Sequence, residues 1–345
     1  MSIIGIFKRY GMQTALQPLV LTMFFCASIQ DHKYTAHFFS LDTVMDVTLY
    51  SNSSEAKADL DSLKVFFGSM DRLLSLSNPE SEVSRINRRS DSAVVLPPAL
   101  KTIISVCRRE YGLSGGLFDV TVEPLKYLYG LESHQTQTRV PHRGELDSAL
   151  RLVGFNRIGF PSDSIMVLPA GMRIDLGGIA KGYILTAAAD FLQGRGYRDF
   201  LINAGGDIVT GGRKPDGKPW MIGVAHPRCK KAMIATLRVP GGCIFTSGDY
   251  ERFFIENGKR YNHLFDPHTG LPGTCNMSAT VVGNDALAVD AAVKTAFLLP
   301  AEQALRYLKT RGMPGFIIDS SGIGWASKEL EGALRADTTL VVNYR

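Results

Sequence analysis

The segment 175–183, DLGGIAKGY, places an acid, glycines and a lysine where an apolar stretch of the chain meets a helical pattern. The apolar residues that follow recur at helical spacing: Ile184, Leu185, Ala188 and Leu192. Gly177 and Gly178 therefore fall at a predicted junction between a strand and a helix. Glycine lets a ligand approach the backbone, and the first turn of a helix presents free N–H groups and a positive dipole end. These features predict a site for a phosphate or pyrophosphate.

A tight structural turn explains these glycines equally well when the segment is taken alone. The segment matches neither the phosphate-binding loop, which ends in Gly-Lys-Ser/Thr, nor the dinucleotide motif Gly-x-Gly-x-x-Gly. Four further clusters of polar residues and glycine lie where strands or helices are predicted to end: 118–121, 203–207, 246–250 and 263–270. Each of them also has a structural explanation as a turn, so no single cluster decides the function.

Asp290 lies inside an otherwise apolar helical pattern that covers residues 286–299. An unpaired buried carboxylate is costly, so this side chain is expected to face solvent, to pair with a cation or to bind a metal. Lys294 stands one helical turn later and would form an i,i+4 ion pair. A hard cation such as Mg²⁺, held by one carboxylate, a backbone carbonyl and phosphate oxygens, is the functional alternative.

Hydrophobic periodicity predicts the elements that must position these residues. Helices are predicted at 56–74, 100–111, 145–153, 182–196, 287–299 and 301–311, with a polar surface loop at 132–143. Strands are predicted at 34–50 (one or two), 200–202, 221–224, 234–239, 244–247, 316–318 and 340–342. Runs of strands with helices between them predict an α+β fold, with mixed, largely antiparallel sheets and flanking helices that form a two-lobed single catalytic unit.

The composition is that of an ordinary soluble globular protein. Of the 345 residues, 45% are hydrophobic and 21% are charged, which argues against disorder and against multiple membrane spans. The net charge of +5 comes without an arginine-rich face or a nucleic-acid motif, so no nucleic-acid partner is expected. Four cysteines form neither a Cys-x-x-Cys pair nor a zinc spacing and are expected to be mostly structural: Cys107, Cys229, Cys243 and Cys275.

Residues 1–28 have the layout of a secretory signal peptide or N-terminal anchor. Lys8 and Arg9 precede an apolar stretch at 15–25, which is short for a transmembrane helix, and small residues follow it. Cys26 suggests a lipoprotein signal, but Phe25 stands where such a signal prefers a small residue, so lipidation is not favoured. An uncleaved anchor is the third alternative. Each of the three predicts an exported protein.

Six motifs in this order resemble the ApbE-type FAD:protein FMN transferases, which are exported or lipid-anchored bacterial enzymes. The motifs are LSLSNPESEVSRIN at 74–87, FDVTVEPL at 118–125, DLGGIAKGY at 175–183, NAGGD at 203–207, TSGDY at 246–250 and HLFDPHTG at 263–270. The resemblance covers nearly all of the chain after the leader, so residues 29–345 are expected to form one ApbE-like flavin transferase domain.

The resemblance implies an enzyme that binds FAD, uses Mg²⁺, transfers the FMN half to a threonine hydroxyl of a partner protein and releases AMP. It implies a flavin-accepting membrane protein as the partner, such as a subunit of a sodium-translocating NADH:quinone reductase or an Rnf-type complex. The expected location is the periplasmic face of the inner membrane. The alternatives are an FAD pyrophosphatase that gives FMN and AMP, and a flavin-binding protein without turnover.

The resemblance also assigns individual residues. Positions that match the flavin or adenine site are Leu41, Ser77, Leu117, Phe118, Asp119 and Asp175, and the matches to metal ligands are Gly178, through its carbonyl, Asp290 and the displaced Thr295. Lys181 is added as a cation that faces the pyrophosphate, because it lies at the presumed start of the helix. His263 is the candidate general base, since an imidazole titrates near neutral pH, and Asp266 is close enough in sequence to orient it.

Two positions depart from the family pattern. Ser77 stands where the family usually has an aromatic residue, so one stacking surface is lost or is supplied by another side chain. Lys294 stands where the family has its metal-binding threonine, and Thr295 is displaced by one residue, which rotates a helical side chain by about 100°. Three outcomes follow: the helix adjusts locally, the Lys294 ammonium replaces part of the metal's charge, or the protein binds FAD with weakened catalysis.

Overall fold

A nine-stranded sheet forms the centre of the fold in the computed structural model, which describes residues 32–89, 91–132 and 135–345. In spatial order its strands are β1 (His32–Ser40), β2 (Thr43–Ser51), β6 (Asp199–Ala204), β7 (Asp207–Gly211), β10 (Gly242–Gly248), β13 (Asn276–Gly283), β14 (Gly315–Asp319), β15 (Gly324–Ala326) and β17 (Val342–Tyr344). Neighbouring strands are antiparallel except for the parallel pair β15 and β17. Polar groups at the ends of these strands can therefore meet at the same edge.

Eight further strands form three smaller sheets within the described residues. One contains β3 (Ala93–Val95), β5 (Ile165–Val167) and β4 (Gly159–Ser162), and a second contains β16 (Leu334–Ala336), β9 (Met233–Val239) and β8 (Trp220–Ala225). The third is the hairpin of β11 (Phe253–Glu256) and β12 (Lys259–Asn262). All pairs in these sheets are antiparallel, which confirms the prediction of mixed, largely antiparallel sheets.

The helices of the described chain are α1 (Ala56–Leu74), α2 (Glu82–Arg88), α3 (Pro98–Leu113), α4 (Glu123–Tyr129), α5 (Arg143–Leu150), α6 (Ala180–Gly194), α7 (Ala286–Leu298) and α8 (Ala301–Thr310). The apolar stripe of α1 is buried as its periodicity predicts. Helix α7 is apolar on nearly all sides and is accordingly the most enclosed helix, in contact with β10, β13, α3, α6 and α8. It therefore fixes the positions of the sheet and of α6 relative to each other.

The described residues form one compact unit, and the predicted leader, 1–28 with Cys26, lies outside them. No helix in the described ranges is both long and apolar enough to cross a membrane. The four cysteines at 107, 229, 243 and 275 are all free thiols. The sequence patterns missed the short helices α2 and α4 and most of the short strands, and β17 begins two residues later than predicted.

The apolar pattern before the junction, Val167 and Leu168 followed by Ile174 and Leu176, predicts an extended chain; Val167 ends strand β5, but Ile174 and Leu176 lie in no strand. The Asn87 side chain takes the place of a neighbouring strand: its Nδ2 donates to the Ile174 carbonyl at 2.9 Å, and its Oδ1 accepts from the Ile174 N–H at 2.8 Å. Asp175 N–H donates to the Val120 carbonyl at 2.7 Å. The Asn87 side-chain amide and the Val120 carbonyl thus supply hydrogen-bond partners for the backbone groups of Ile174 and Asp175, and no neighbouring strand is needed. The arrangement sets the position of Asp175.

We expect Asn87→Ala to reduce the free energy of unfolding by about 2 kcal/mol, because it removes two hydrogen bonds to Ile174 that are each worth about 1 kcal/mol. Urea unfolding followed by circular dichroism measures this loss. Arg85→Ala, on the same helix, removes only exposed ion pairs and should change the free energy of unfolding by less than about 0.5 kcal/mol. Equal losses in the two variants would contradict the role given to Asn87.

Candidate active site

The predicted polar clusters meet at one cavity of about 470 Å³. Two turns line it, between β1 and β2 and between β6 and β7, as do the chain after α1 and Lys294 and Leu298 of α7. Further lining comes from segments of 117–122, 175–181, 246–252 and 263–265. This volume lies within the range of small-molecule sites, about 300–1,000 Å³. Of the residues predicted for the site, the lining includes Leu41, Leu117, Phe118, Asp119, Asp175, Gly178, Lys181 and His263.

The β1–β2 turn holds Leu41 and Asp42 at the cavity in an uncommon backbone conformation. Both residues have positive φ, 48° and 57°, in the two-residue connection between paired Ser40 and Thr43. Such hairpin turns favour glycine or asparagine there, and a leucine in this conformation is strained. The Leu41 N–H donates to Asp71 Oδ1 at 3.2 Å, which helps to fix the turn against α1. The strained turn thereby presents an apolar side chain to the cavity.

Ser77 lies outside the cavity lining, unlike its neighbours Ser75 and Leu76. Its hydroxyl donates to Asp42 Oδ1 at 3.1 Å and shares a hydrogen bond of 2.8 Å with Ser75 Oγ. This exposed serine connects the chain after α1 to the β1–β2 turn. The apolar part of the cavity wall near it comes from other side chains, namely Leu41, Leu74, Leu76, Leu117 and Phe118.

Asp119 lines the cavity, but its carboxylate mainly holds the surrounding loop. Its Oδ1 accepts from Thr121 N–H at 2.8 Å and from Thr121 Oγ1 at 2.6 Å, and its Oδ2 accepts from Phe155 N–H at 3.0 Å. Burial raises the pKa of Asp119 above its ordinary value, although these hydrogen bonds oppose the shift. The hydrogen bonds of Asp119 to Thr121 and Phe155 therefore hold in place the loop that carries Leu117 and Phe118.

Asp175 pairs with Lys126, a residue that the sequence analysis missed. Asp175 Oδ1 also accepts from Gly177 N–H at 2.8 Å, and Lys126 Nζ lies 3.6 Å from Glu132 Oε1. Burial alone would raise the pKa of Asp175, but the Lys126 ammonium and these hydrogen bonds outweigh it and hold the pKa below its usual range. The proline at position 124, in the first turn of α4, was the available signal for the helix that carries Lys126.

Lys181 lines the cavity from the first turn of α6 and forms an ion pair with Asp207 of the NAGGD motif. The other oxygen of that carboxylate, Asp207 Oδ1, accepts from Thr246 N–H at 3.0 Å. Asp207 is buried and does not line the cavity, so it lies behind the lysine. The pair connects the start of α6 to β7 and β10 and keeps the Lys181 ammonium at the cavity wall.

Asp290 and Lys294 form the i,i+4 ion pair that their spacing predicts. Asp290 is fully buried, and its second oxygen, Oδ2, accepts from Gly182 N–H at 2.8 Å. A Cβ at Gly182 would lie 2.5 Å from the Ala286 carbonyl oxygen, so only glycine allows α6 to approach α7 this closely. Lys294 lines the cavity, whereas Asp290 does not.

These residues do not fit the metal site that the family resemblance implies. Gly178 lines the cavity, but both oxygens of Asp290 are engaged by protein donors, and Thr295 does not line the cavity. Mg²⁺ requires oxygen ligands in a near-octahedral arrangement. Among the described residues, no group of three or more His, Cys, Asp or Glu side chains could hold a metal ion. The donor set offers an ammonium where a metal would need oxygen.

His263 lines the cavity and is half-buried. Its Nδ1 lies 3.3 Å from the Arg252 carbonyl oxygen, an acceptor, so Nδ1 carries the proton in this hydrogen bond and Nε2 keeps a free lone pair. Burial, followed by the charges of Lys126 and Arg252, lowers the pKa of His263 to about 3. The imidazole is therefore neutral at physiological pH and can accept a proton at Nε2.

Asp266 does not orient His263, in contrast to the sequence-based expectation. Its Oδ1 accepts from His268 N–H at 2.8 Å, and its backbone pairs with Gly270 and Leu271 to build the turn at the end of the motif. The turn that contains Pro267 and Gly270 thus keeps Asp266 Oδ1 in a hydrogen bond within its own loop. The Arg252 carbonyl takes the role that was expected of Asp266.

Tyr250, Glu251 and Arg252 also line the cavity, and they follow the glycine of the TSGDY motif. A Cβ at Gly248 would lie 2.4 Å from the Tyr250 ring, so this glycine makes room for the tyrosine. Burial raises the pKa of Tyr250 above its ordinary value, and its hydroxyl stays protonated at neutral pH. Tyr250 of the motif therefore contributes a hydrogen-bond donor to the cavity, and Arg252, two residues after the motif, contributes a cation.

Comparison with known proteins places the chain in a family. A sequence profile described as the ApbE family matches residues 41–317. The FAD:protein FMN transferase of Vibrio cholerae serotype O1 is 29% identical over 255 residues, which cover 73% of this chain and 76% of that protein. One from Klebsiella pneumoniae is 30% identical over 244 residues, covering 69% of this chain and 75% of the relative.

Two solved structures share the fold described above. The ApbE protein of Thermotoga maritima matches with a TM-score of 0.83 and 28% identity, over 88% of this chain and 100% of that one. The apo form of the flavinyl transferase ApbE of Pseudomonas stutzeri matches with a TM-score of 0.79 and 25% identity, over 88% of this chain and 97% of that one. The motifs, the fold and the cavity thus agree, and the chain belongs to the ApbE family.

Proposed function

We propose that this ApbE-family enzyme is an FAD:protein FMN transferase. The acceptor hydroxyl oxygen attacks the phosphorus of the FMN half of FAD, the bond from that phosphorus to the bridging oxygen breaks, and AMP leaves with the bridging oxygen. The hydroxyl proton passes to a base of the enzyme. The observation that carries the proposal is a neutral imidazole, His263, in the same cavity as the ammonium groups of Lys126, Lys181 and Lys294.

The lysines supply positive charge where a pyrophosphate would bind. Each is paired with a carboxylate that a backbone N–H also holds: Lys126 with Asp175 and Gly177, Lys181 with Asp207 and Thr246, and Lys294 with Asp290 and Gly182. The side chains are therefore fixed before the ligand arrives. Donors that are already oriented stabilise developing charge without reorganisation, and this is the main source of catalysis in phosphoryl-type transfer.

His263 is suited to the proton transfer because its Nε2 is unprotonated and its ring is held by the Arg252 carbonyl. The nearby cations that lower the pKa of its imidazolium belong to Lys126, Arg252 and Lys181, and bound pyrophosphate would partly neutralise them. The base would then become stronger when FAD binds. This coupling would restrict proton uptake to the enzyme that carries its flavin substrate.

The finer features of the proposal rest on the family resemblance and on the leader pattern. We propose a threonine hydroxyl on a membrane-bound respiratory subunit as the acceptor, and the periplasmic face of the inner membrane as the location. The signal-like pattern of residues 1–28 supports export. Magnesium, which the resemblance also implies, has no step in this proposal because neither Asp290 nor Thr295 presents an oxygen ligand to the cavity.

Mass spectrometry of a co-expressed acceptor tests the transfer. We expect the acceptor to gain the mass of one FMN, with one AMP released for each FMN attached, when FAD is supplied. An acceptor whose threonine is replaced by valine should stay unlabelled. AMP formation without labelled acceptor would instead show an FAD pyrophosphatase, and tight FAD binding without AMP would show a flavin-binding protein. Either result contradicts the proposed transfer.

Substitution of the base should affect turnover and spare binding. We expect His263→Gln to reduce the rate of FMN transfer by about 10²–10⁴-fold, the usual contribution of a general base, and to change FAD affinity by less than about threefold. Labelling kinetics and fluorescence titration of FAD give the two quantities. His268→Gln is the matched control, because His268 is exposed and outside the cavity lining, and it should keep the wild-type rate. A wild-type rate in His263→Gln would refute the assignment.

The pH dependence of transfer follows from the pKa of His263. A base works in its neutral form, and the lowered pKa, about 3, keeps His263 neutral well below the usual imidazole range. We therefore expect kcat/KM, which reports the free enzyme, to stay flat from about pH 7.5 to about pH 5. A fall in kcat/KM centred near pH 6.5, the ordinary pKa of histidine, would contradict the environment described for this side chain.

A further inference from the structure

Lys294 and Asp290 together occupy the position where the family resemblance places a metal. The ammonium contacts Asp290 Oδ1, and Gly182 N–H donates to Oδ2 at 2.8 Å. Asp290 is fully buried, while 15% of the Lys294 side chain is exposed. The carboxylate thus lies behind the lysine, and the lysine alone reaches the cavity.

The Lys294 ammonium lies beside the backbone expected to face the pyrophosphate. Lys294 lines the cavity together with Gly178 and Lys181, and a Cβ at Gly178 would lie 3.9 Å from Lys294 Cε. An ammonium has three N–H donors, of which one is used by Asp290. The other two remain for an anion, and a lysine ammonium is an established type of phosphate-binding group in proteins.

A metal bound at Asp290 would have to displace this ammonium. The two cations would repel each other across a buried site of low dielectric, and Gly182 would still occupy the second carboxylate oxygen. Removal of the lysine would in turn leave Asp290 buried and unpaired, which is strongly unfavourable. The carboxylate is therefore used as the counter-ion of a lysine and not as a metal ligand.

We propose that Lys294 is the resident cation of this site: its ammonium, held by Asp290, binds the pyrophosphate of FAD in place of a divalent metal ion. The identification of the bound anion as the pyrophosphate of FAD rests on the proposed function. The transferase then works without a metal bound at Asp290. The positive charge of the Lys294 ammonium is part of the polypeptide and is present before FAD binds.

Metal dependence of the wild-type protein is the first test. We expect FMN transfer with EDTA to stay within about twofold of the rate with added Mg²⁺. We also expect electron paramagnetic resonance to show no stoichiometric Mn²⁺ binding to the flavin-free protein. Loss of transfer in EDTA that Mg²⁺ restores, or one tightly bound Mn²⁺ that Mg²⁺ displaces, would overturn the proposal.

Substitution of Lys294 is the second test, with FAD affinity as the readout. Lys294→Met keeps the length of the side chain and removes its charge, and we expect FAD affinity to fall by about tenfold or more, whereas Lys294→Arg keeps a cation and should lose less. Lys309→Met, an exposed lysine on α8, is the control and should bind FAD like the wild type. Unchanged affinity in Lys294→Met would overturn the proposal.

The double variant Asp290→Asn with Lys294→Met covers the case in which the single variant fails to fold, because it leaves no unpaired buried charge. It should show the same loss of FAD affinity, and unchanged affinity would overturn the proposal. Flavin and Mn²⁺ binding do not require turnover, so the two proposals can fail separately. Absence of labelling with the expected binding results would remove the transferase function only. Labelling that requires Mg²⁺ would remove the role of Lys294 only.

Discussion

The buried carboxylate of Asp290 is the interaction on which the site depends. It accepts the Gly182 N–H at the start of α6 and the Lys294 ammonium one turn further along α7, so a single side chain holds two helices and a cation together. The contact exists because Gly182 has no side chain to keep the two backbones apart. Helix α7 packs in turn on β10 and β13 of the central sheet. The position of the cavity wall is thus fixed by the core of the protein.

The same device occurs three times around the cavity. A lysine that lines the cavity pairs with a buried or nearly buried aspartate, and a backbone N–H holds the second oxygen of the aspartate. Asp207 and Asp290 lie behind their lysines, whereas Asp175 lines the cavity together with Lys126. Buried ion pairs carry a large desolvation cost, and hydrophobic residues of similar size would often be more stable. The arrangement is therefore better explained by ligand binding than by stability, since it keeps three cations oriented in the absence of a ligand.

Local patterns predicted the parts of this fold that local forces determine. The periodicity of α1, the apolar run of α7, the turn at Pro267 and Gly270, and the Asp290–Lys294 pair all follow from residue types and spacing along the chain. The helices α2 and α4 are seven residues each, too short to show a period, and Lys126 was missed with α4. Contacts such as Asn87 with Ile174 join residues far apart in sequence, and no local pattern reveals them. The leader and the site roles stay predictions.

The pairing of each cavity lysine with its own aspartate affects the electric field outside the protein. A cation in contact with a carboxylate acts at long range as a dipole, and the field of a dipole decreases faster with distance than that of a single charge. The cavity therefore attracts anions over a short distance and contributes little to long-range steering, which depends on net charge and is screened by salt. The three ion pairs should consequently add little to the ionic-strength dependence of flavin nucleotide capture, and a released nucleotide that has left the cavity wall is no longer strongly held by them.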